Sequence, residues 1–213
     1  MRFAILGMAM LAGCFSIRQG QTARALGTGN VEVAIDGGVA VFDAGDGQAT
    51  LPNGNIGVRV GATDQVDILG EVGLWGLGFG VKATLTPESS PIALAFAPRV
   101  NAGTLIVVSV AHFSAPVLIG IPLGEHELTL GPRIDHVRST LLTSDVGRAS
   151  LTMGGGTVGL AIQAGPARIT PEVAVSRPFR GTFSVLGDTE SSSLEAGVWL
   201  IQPNLFIAFE VGG

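Results

Sequence analysis

Three histidines and one cysteine bound the side-chain chemistry open to this chain. Asp135 and His136 are adjacent, which on a strand sends them to opposite faces, so they form no Asp-His relay. His112 sits in a long uncharged segment, and His126 stands in a turn between Glu125 and Glu127. No second histidine falls at ligand spacing from either, which leaves no metal site to expect. Gly76-Leu77-Gly78-Phe79-Gly80 and Gly154-Gly155-Gly156 share glycines with phosphate-binding loops, but neither is GxGxxG before a helix and neither carries a Walker lysine. Asp43-Ala44-Gly45-Asp46-Gly47 lacks the third oxygen ligand and distant glutamate of a calcium loop, and reads as a solvated loop. Serines occur without a motif that pairs one with a histidine. The expectation is no enzyme and no cofactor, with the informative chemistry left to the placement of charge.

Charge is scarce. Over 213 residues the charged fraction is 14% where roughly 25% is usual, and glycine reaches 32 residues. Mean hydropathy is +0.50, a surface too apolar for an ordinary water-soluble globule. The length suits one domain or at most two, and no linker composition divides it. The net charge is −5, which excludes the basic stripe that a nucleic-acid partner needs.

Arg2 is followed by an uncharged stretch, Phe3 to Gly13, the length of a signal-peptide core and too short to span a bilayer as a helix. It ends in Leu11-Ala12-Gly13-Cys14, which resembles the lipobox of bacterial lipoproteins. That resemblance implies a removable signal over residues 1–13 and lipidation of Cys14 as the first mature residue. Residues 14–29 would then be an N-terminal lipid-anchored tether, and Phe15, not being aspartate, favours delivery to the outer membrane. With Cys14 the only cysteine, no disulfide staples the mature chain.

From Asn30 onward nearly every segment alternates with period two, as a strand with chemically different faces does. Val31, Val33 and Ile35 flank Glu32, Ala34 and Asp36; Ile56, Val58 and Val60 flank Gly57, Arg59 and Gly61; Leu77, Phe79 and Val81 enclose Gly78, Gly80 and Lys82. The polar face is mostly glycine and alanine with single charges. A soluble barrel or sandwich would show water a face rich in Lys, Glu, Thr and Ser. In a transmembrane barrel the apolar face meets lipid and small or charged residues line the lumen. Glu32, Asp36, Arg59, Asp67, Glu71, Lys82, Arg99, Arg133, Asp135, Arg168, Glu172, Arg177 and Glu195 are the expected lumen-facing charges. Their mixed signs point to ion-paired filling more than to a wide conduit.

Turn signals fall at Asp43–Asn53, Thr63–Gln65, Pro87–Ser90, Gly124–His126, Gly165-Pro166, Gly187–Ser193 and Gln202–Asn204. Thr104 to Leu123 carries no formal charge and is long enough for a transmembrane helix. Pro116, Pro122, Gly120 and the β-branched run Ile106, Val107, Val108 and Val110 argue instead for one extended strand, or two short ones joined near His112–Ala115. Eleven runs alternate, and bacterial single-chain barrels have an even strand number, so either Thr104–Leu123 holds two strands or one short run is no strand at all. The fold class is therefore all-β, an antiparallel up-and-down transmembrane β-barrel of 10 or 12 strands over residues 30–213.

The hairpin Asn55 to Ile68, with Arg59 and its aspartates about a tight turn, and the final strand Leu205 to Val211 resemble the small outer-membrane β-barrel proteins of Gram-negative bacteria. Tyrosine is absent, so an aromatic girdle would be built from Trp75, Trp199, Phe42, Phe79, Phe179, Phe206 and Phe209. The resemblance implies a bacterial outer-membrane location, with membrane lipids, the anchor and small solutes as partners. The role would be a narrow channel or a structural or surface barrel. The competing reading is a periplasmic lipid-anchored barrel or sandwich with its apolar face inward around an apolar ligand. The two make opposite demands on a neighbouring pair: with lipid outside, Val58→Arg should be harmful and Arg59→Ala milder.

Overall fold

A computed structural model of the chain describes residues 20–43, 48–74, 76–105, 108–141, 147–185, 188–192 and 198–211. Its strands are β1 (Val31–Asp43), β2 (Gln48–Gly61), β3 (Val66–Gly73), β4 (Gly76–Thr84), β5 (Ala93–Phe96), β6 (Arg99–Leu105) and β7 (Val108–Leu123), followed by β8 (His126–Leu130), β9 (Arg133–Leu141), β10 (Gly147–Ala164), β11 (Ala167–Val185), β12 (Asp188–Ser192) and β13 (Trp199–Val211). All pairings are antiparallel, and β13 returns to β1 through Val31↔Val211 and Phe42↔Leu200, which closes the sheet into a barrel.

Three pairs of strands are collinear pieces of single staves, so the wall has ten. β5 and β6 both pair with β4 and β7 in one unbroken register, interrupted at Pro98. β8 and β9 share β7 and β10 in the same way across Pro132. Proline offers no N–H to the ladder, but its carbonyl still accepts: Val81 donates to Pro98 O at 3.0 Å and Val117 to Pro132 O at 2.9 Å. β12 extends the β13 stave along β11.

The ten staves correct several sequence expectations. Gln202-Pro203-Asn204 is no turn; β13 runs straight through it, which merges two of the eleven runs into one. Pro203 leaves its mark all the same, since the β1–β13 ladder skips from Gly38↔Asn204 to Val41↔Ile201. Gln48–Asn53 belongs to β2 and Asp188–Ser192 to β12, not to loops. Thr104–Leu123 contributes the end of β6 and all of β7, and His112–Ala115 lies mid-strand because β9 pairs with it throughout.

Period two separates the faces. Val58 is 42% exposed on the outer wall while its neighbour Arg59 is 2% exposed inside. Ile35, Ile56, Val72, Leu77, Phe79, Val100, Ile134, Val158 and Leu205 make the same apolar outer surface around the barrel. An apolar exterior over a charged interior is the arrangement lipid requires, and it sets aside a soluble barrel with its apolar face inward. Phe42 and Phe206, expected in a girdle, point inward because they share strand parity with Glu32 and Asn204. Phe79, Phe179, Trp199 and Phe209 lie outside, and Trp75 falls outside the described residues.

The interior is not uniformly polar. Near the rim opposite the barrel's two ends at Val31 and Val211, Ala40, Phe42, Val110, Val137, Leu151, Met153 and Leu200 pack into one buried apolar cluster. Charges fill the other half, toward those ends, which we term the terminal rim. Val58→Arg should cost about 2–4 kcal/mol, the price of a cation on the lipid face, and lower the urea midpoint of vesicle-inserted protein.

Candidate functional site

The lumen at the terminal rim is built from single charges on successive staves, which register brings to one level. Glu32 (β1) faces Arg59 (β2), Arg59 lies near Asp67 (β3), and Asp67 faces Lys82 (β4). Arg59 reaches Glu32 at 3.1 Å and Asp67 at 3.7 Å; Lys82 reaches Asp67 at 2.9 Å; Arg168 (β11) extends the chain of pairs from Glu32 at 2.7 Å. Arg99 lies 3.8 Å from Glu71, and Asp36 accepts from Asn55 Nδ2 at 3.3 Å. Glycines on the same face make room for these side chains. A Cβ at Gly78 would strike Asn101 Oδ1 at 2.2 Å and the Glu71 carboxylate at 2.5 Å.

Residues 20–26, expected to belong to a tether, enter this lumen at its mouth. Gly20 N donates to Glu172 Oε2 at 2.7 Å, Ala23 N to Glu127 Oε1 at 2.7 Å and Leu26 N to Asp67 Oδ1 at 3.0 Å. Lys82 Nζ donates to the carbonyls of Thr22 and Arg24, and Thr84 Oγ1 to that of Ala23. Ala23 is fully buried, and Arg24 ties down the Glu88 and Ser90 carbonyls at the rim. Staves accommodate this strap through glycine: a Cβ at Gly61 would lie 1.9 Å from Gly27 O, and one at Gly120 2.9 Å from Ala23 Cβ. Outside the barrel, Thr28 donates through Oγ1 at 2.6 Å and N at 3.2 Å to Asp64 Oδ1, which holds that carboxyl below its ordinary value.

With the strap in place, the space left among Gly20, Glu32, Asp36, Arg59, Glu71 and Arg99 is about 30 Å³, room for about two waters.

Farther from the terminal rim, Asp135 is fully buried between two partners. Arg133 donates through Nη2 at 2.6 Å and Nε at 2.8 Å, and His112 Nε2 lies at 3.0 Å. Arg133 also donates to Ser114 Oγ at 2.8 Å. His112 Nδ1 lies 3.3 Å from the Asn101 amide, so both ring nitrogens face a partner. Adjacent Asp135 and His136 do point to opposite faces: His136 is outside, 3.0 Å from Thr152 Oγ1. The His112–Asp135 pairing is invisible in sequence because it depends on β7 and β9 being neighbours in one register.

Among the expected lumen charges, Glu32, Arg59, Asp67, Lys82, Arg99, Arg133, Asp135, Arg168 and Glu172 are buried inside, with Asp36 and Glu71 half-buried beside them. Arg177 is a correction. It lies on the outer wall with its guanidinium 5.7 Å from the Trp199 ring, since inward Glu172, Ala174 and Ser176 leave position 177 on the opposite parity. Glu195, Cys14 and the signal over residues 1–13 lie outside the described residues. Among the described residues no group of three His, Cys, Asp or Glu side chains could hold a metal ion.

The pairing bears on the expectation for Arg59. Arg59→Ala removes one partner each from Glu32 and Asp67, but Glu32 keeps Arg168 at 2.7 Å and Asp67 keeps Lys82 at 2.9 Å. It should cost about 1–3 kcal/mol in urea unfolding of the vesicle-inserted protein, the milder of the two changes.

No protein-family model and no curated protein matches the chain. Solved structures similar to it include Neisserial surface protein A (9% identity, TM-score 0.45, covering 85% of this chain and 97% of that one). An outer-membrane channel from Pseudomonas putida F1 is 10% identical with TM-score 0.47, covering 92% and 100%. The outer-membrane protease OmpT from Escherichia coli is 9% identical with TM-score 0.46, covering 85% and 97%. What classifies the chain is its own closed ladder and inverted polarity: it is an all-β, antiparallel, up-and-down transmembrane barrel of ten staves.

Proposed function

We propose that the protein is a lipid-anchored barrel of the bacterial outer membrane whose lumen is closed, serving as a structural or surface element and not as an open pore. One observation carries this reading: the strap Gly20–Leu26 lies across the mouth, bonded to Glu172, Glu127, Lys82, Thr84 and Asp67 on four different staves. The apolar cluster of Phe42, Met153 and Leu200 fills the far half of the lumen and supports the same conclusion. A solute would have to displace paired charge at one level and packed hydrocarbon at the next.

Cys14 stands six residues before Gly20, a span of at most about 20 Å. That length lets a lipidated Cys14 reach the bilayer from a mouth that holds Gly20 in place.

Two measurements test the proposal. The refolded full chain should give no steady conductance in planar bilayers, with insertion verified by heat-modifiable gel mobility; a steady open level would overturn closure. Radiolabelled palmitate should be incorporated into the wild-type protein in cells and not into Cys14→Ser; labelling that survives the substitution would remove Cys14 as the anchor.

A further inference from the structure

The basic residues of the staves fall into two populations. Arg59, Lys82, Arg99, Arg133 and Arg168 point inward, and each has a carboxylate within 4 Å. The other four, Arg138, Arg148, Arg177 and Arg180, all lie on the outer wall, and all on three adjacent staves, β9, β10 and β11. Among the described residues of those staves no acid shares that face, because Asp135 and Glu172 point inward.

Register places the four side chains in one band. The row Ile134, Gly154 and Arg177 ends the apolar wall, with Phe179 exposed beside it and Arg177 against Trp199. The next row away from the terminal rim is His136, Thr152 and Arg180; the one after is Arg138, Ser150 and Thr182; Arg148 follows opposite Thr140. Hydroxyls accompany the cations, with Ser150 Oγ 2.7 Å from Thr182 Oγ1. Beside Arg138 a groove of about 460 Å³ opens, lined by the small side chains of Ala102, Thr104, Ser109, Ala111 and Thr140. The wall thus changes within one row from hydrocarbon-facing to cationic and hydrogen-bonding.

We infer that this band is a binding surface for phosphate-bearing lipid headgroups of the leaflet at the rim opposite the chain ends. Three features point to that occupant. Four guanidiniums without a facing acid complement dianionic phosphate, which arginine binds bidentately. Their position just past the apolar wall matches the depth of headgroups, where an aromatic and long cationic side chains anchor a barrel. The groove beside Arg138 gives the rest of a headgroup a place against the wall.

The test uses folded full-length protein in zwitterionic detergent, titrated with diphosphoryl lipid A, its dephosphorylated form or phosphatidylcholine, with bound lipid counted by native mass spectrometry. Wild-type protein should retain the phosphorylated lipid and neither of the others. Each arginine removed in the series Arg138→Gln, Arg148→Gln and Arg180→Gln should weaken retention about fivefold. Heat-modifiable mobility confirms that each variant is folded, and a fall in wild-type affinity with added salt gives a second reading independent of substitution. Equal retention by the triple variant, or of the dephosphorylated lipid, would overturn the inference. Displacement of bound lipid by inorganic phosphate would assign the band to free anions and overturn it as a lipid site.

Discussion

Hydrocarbon offers no partner to a backbone N–H or C=O, and that single constraint organises the molecule. A sheet in lipid has to close, and here closure is made by β13 against β1, at opposite ends of the described barrel sequence. Once the ladder is continuous, each stave presents alternate residues to lipid and to the interior. The prolines at 98 and 132 are tolerated because their neighbours donate to the proline carbonyls, so the staves bend the pattern without breaking the wall.

Closure with ten staves leaves an interior that has to be filled. The chain fills it in two ways: with apolar packing toward one rim, and with a row of ion pairs toward the other. The second is the more demanding, since a buried charge is tolerated only when paired and hydrogen-bonded. Backbone amides of the strap help to meet that demand. Glu172, Glu127 and Asp67 accept from Gly20, Ala23 and Leu26, so the segment at the mouth also completes the solvation of the charges beneath it.

The two populations of cations follow the same logic. Inside, each basic group is matched to a carboxylate. Outside, arginines appear where the apolar wall stops, and aromatic Trp199 marks the boundary. The sign and depth of charge on the two faces are therefore set by different environments, one a packed interior and the other the edge of a bilayer.

Much of this was legible from residue order alone. Alternation at Ile56–Gly61 or Leu77–Lys82 assigns faces to Val58, Arg59, Phe79 and Lys82 because side-chain direction on a strand is a local property. The barrel class follows from which of the two faces is apolar. Parity also held the answer for Arg177, Phe42 and Phe206, although residue type pointed the other way. Sequence order could not decide what depends on register between distant strands: that His112 meets Asp135, that Arg168 reaches Glu32, that the runs on either side of Gln202-Pro203-Asn204 are one stave, and that residues 20–26 lie in the lumen. The reason is physical. Which face a side chain takes is determined by its own strand, whereas what it meets there is determined by how ten strands are staggered when the ladder closes.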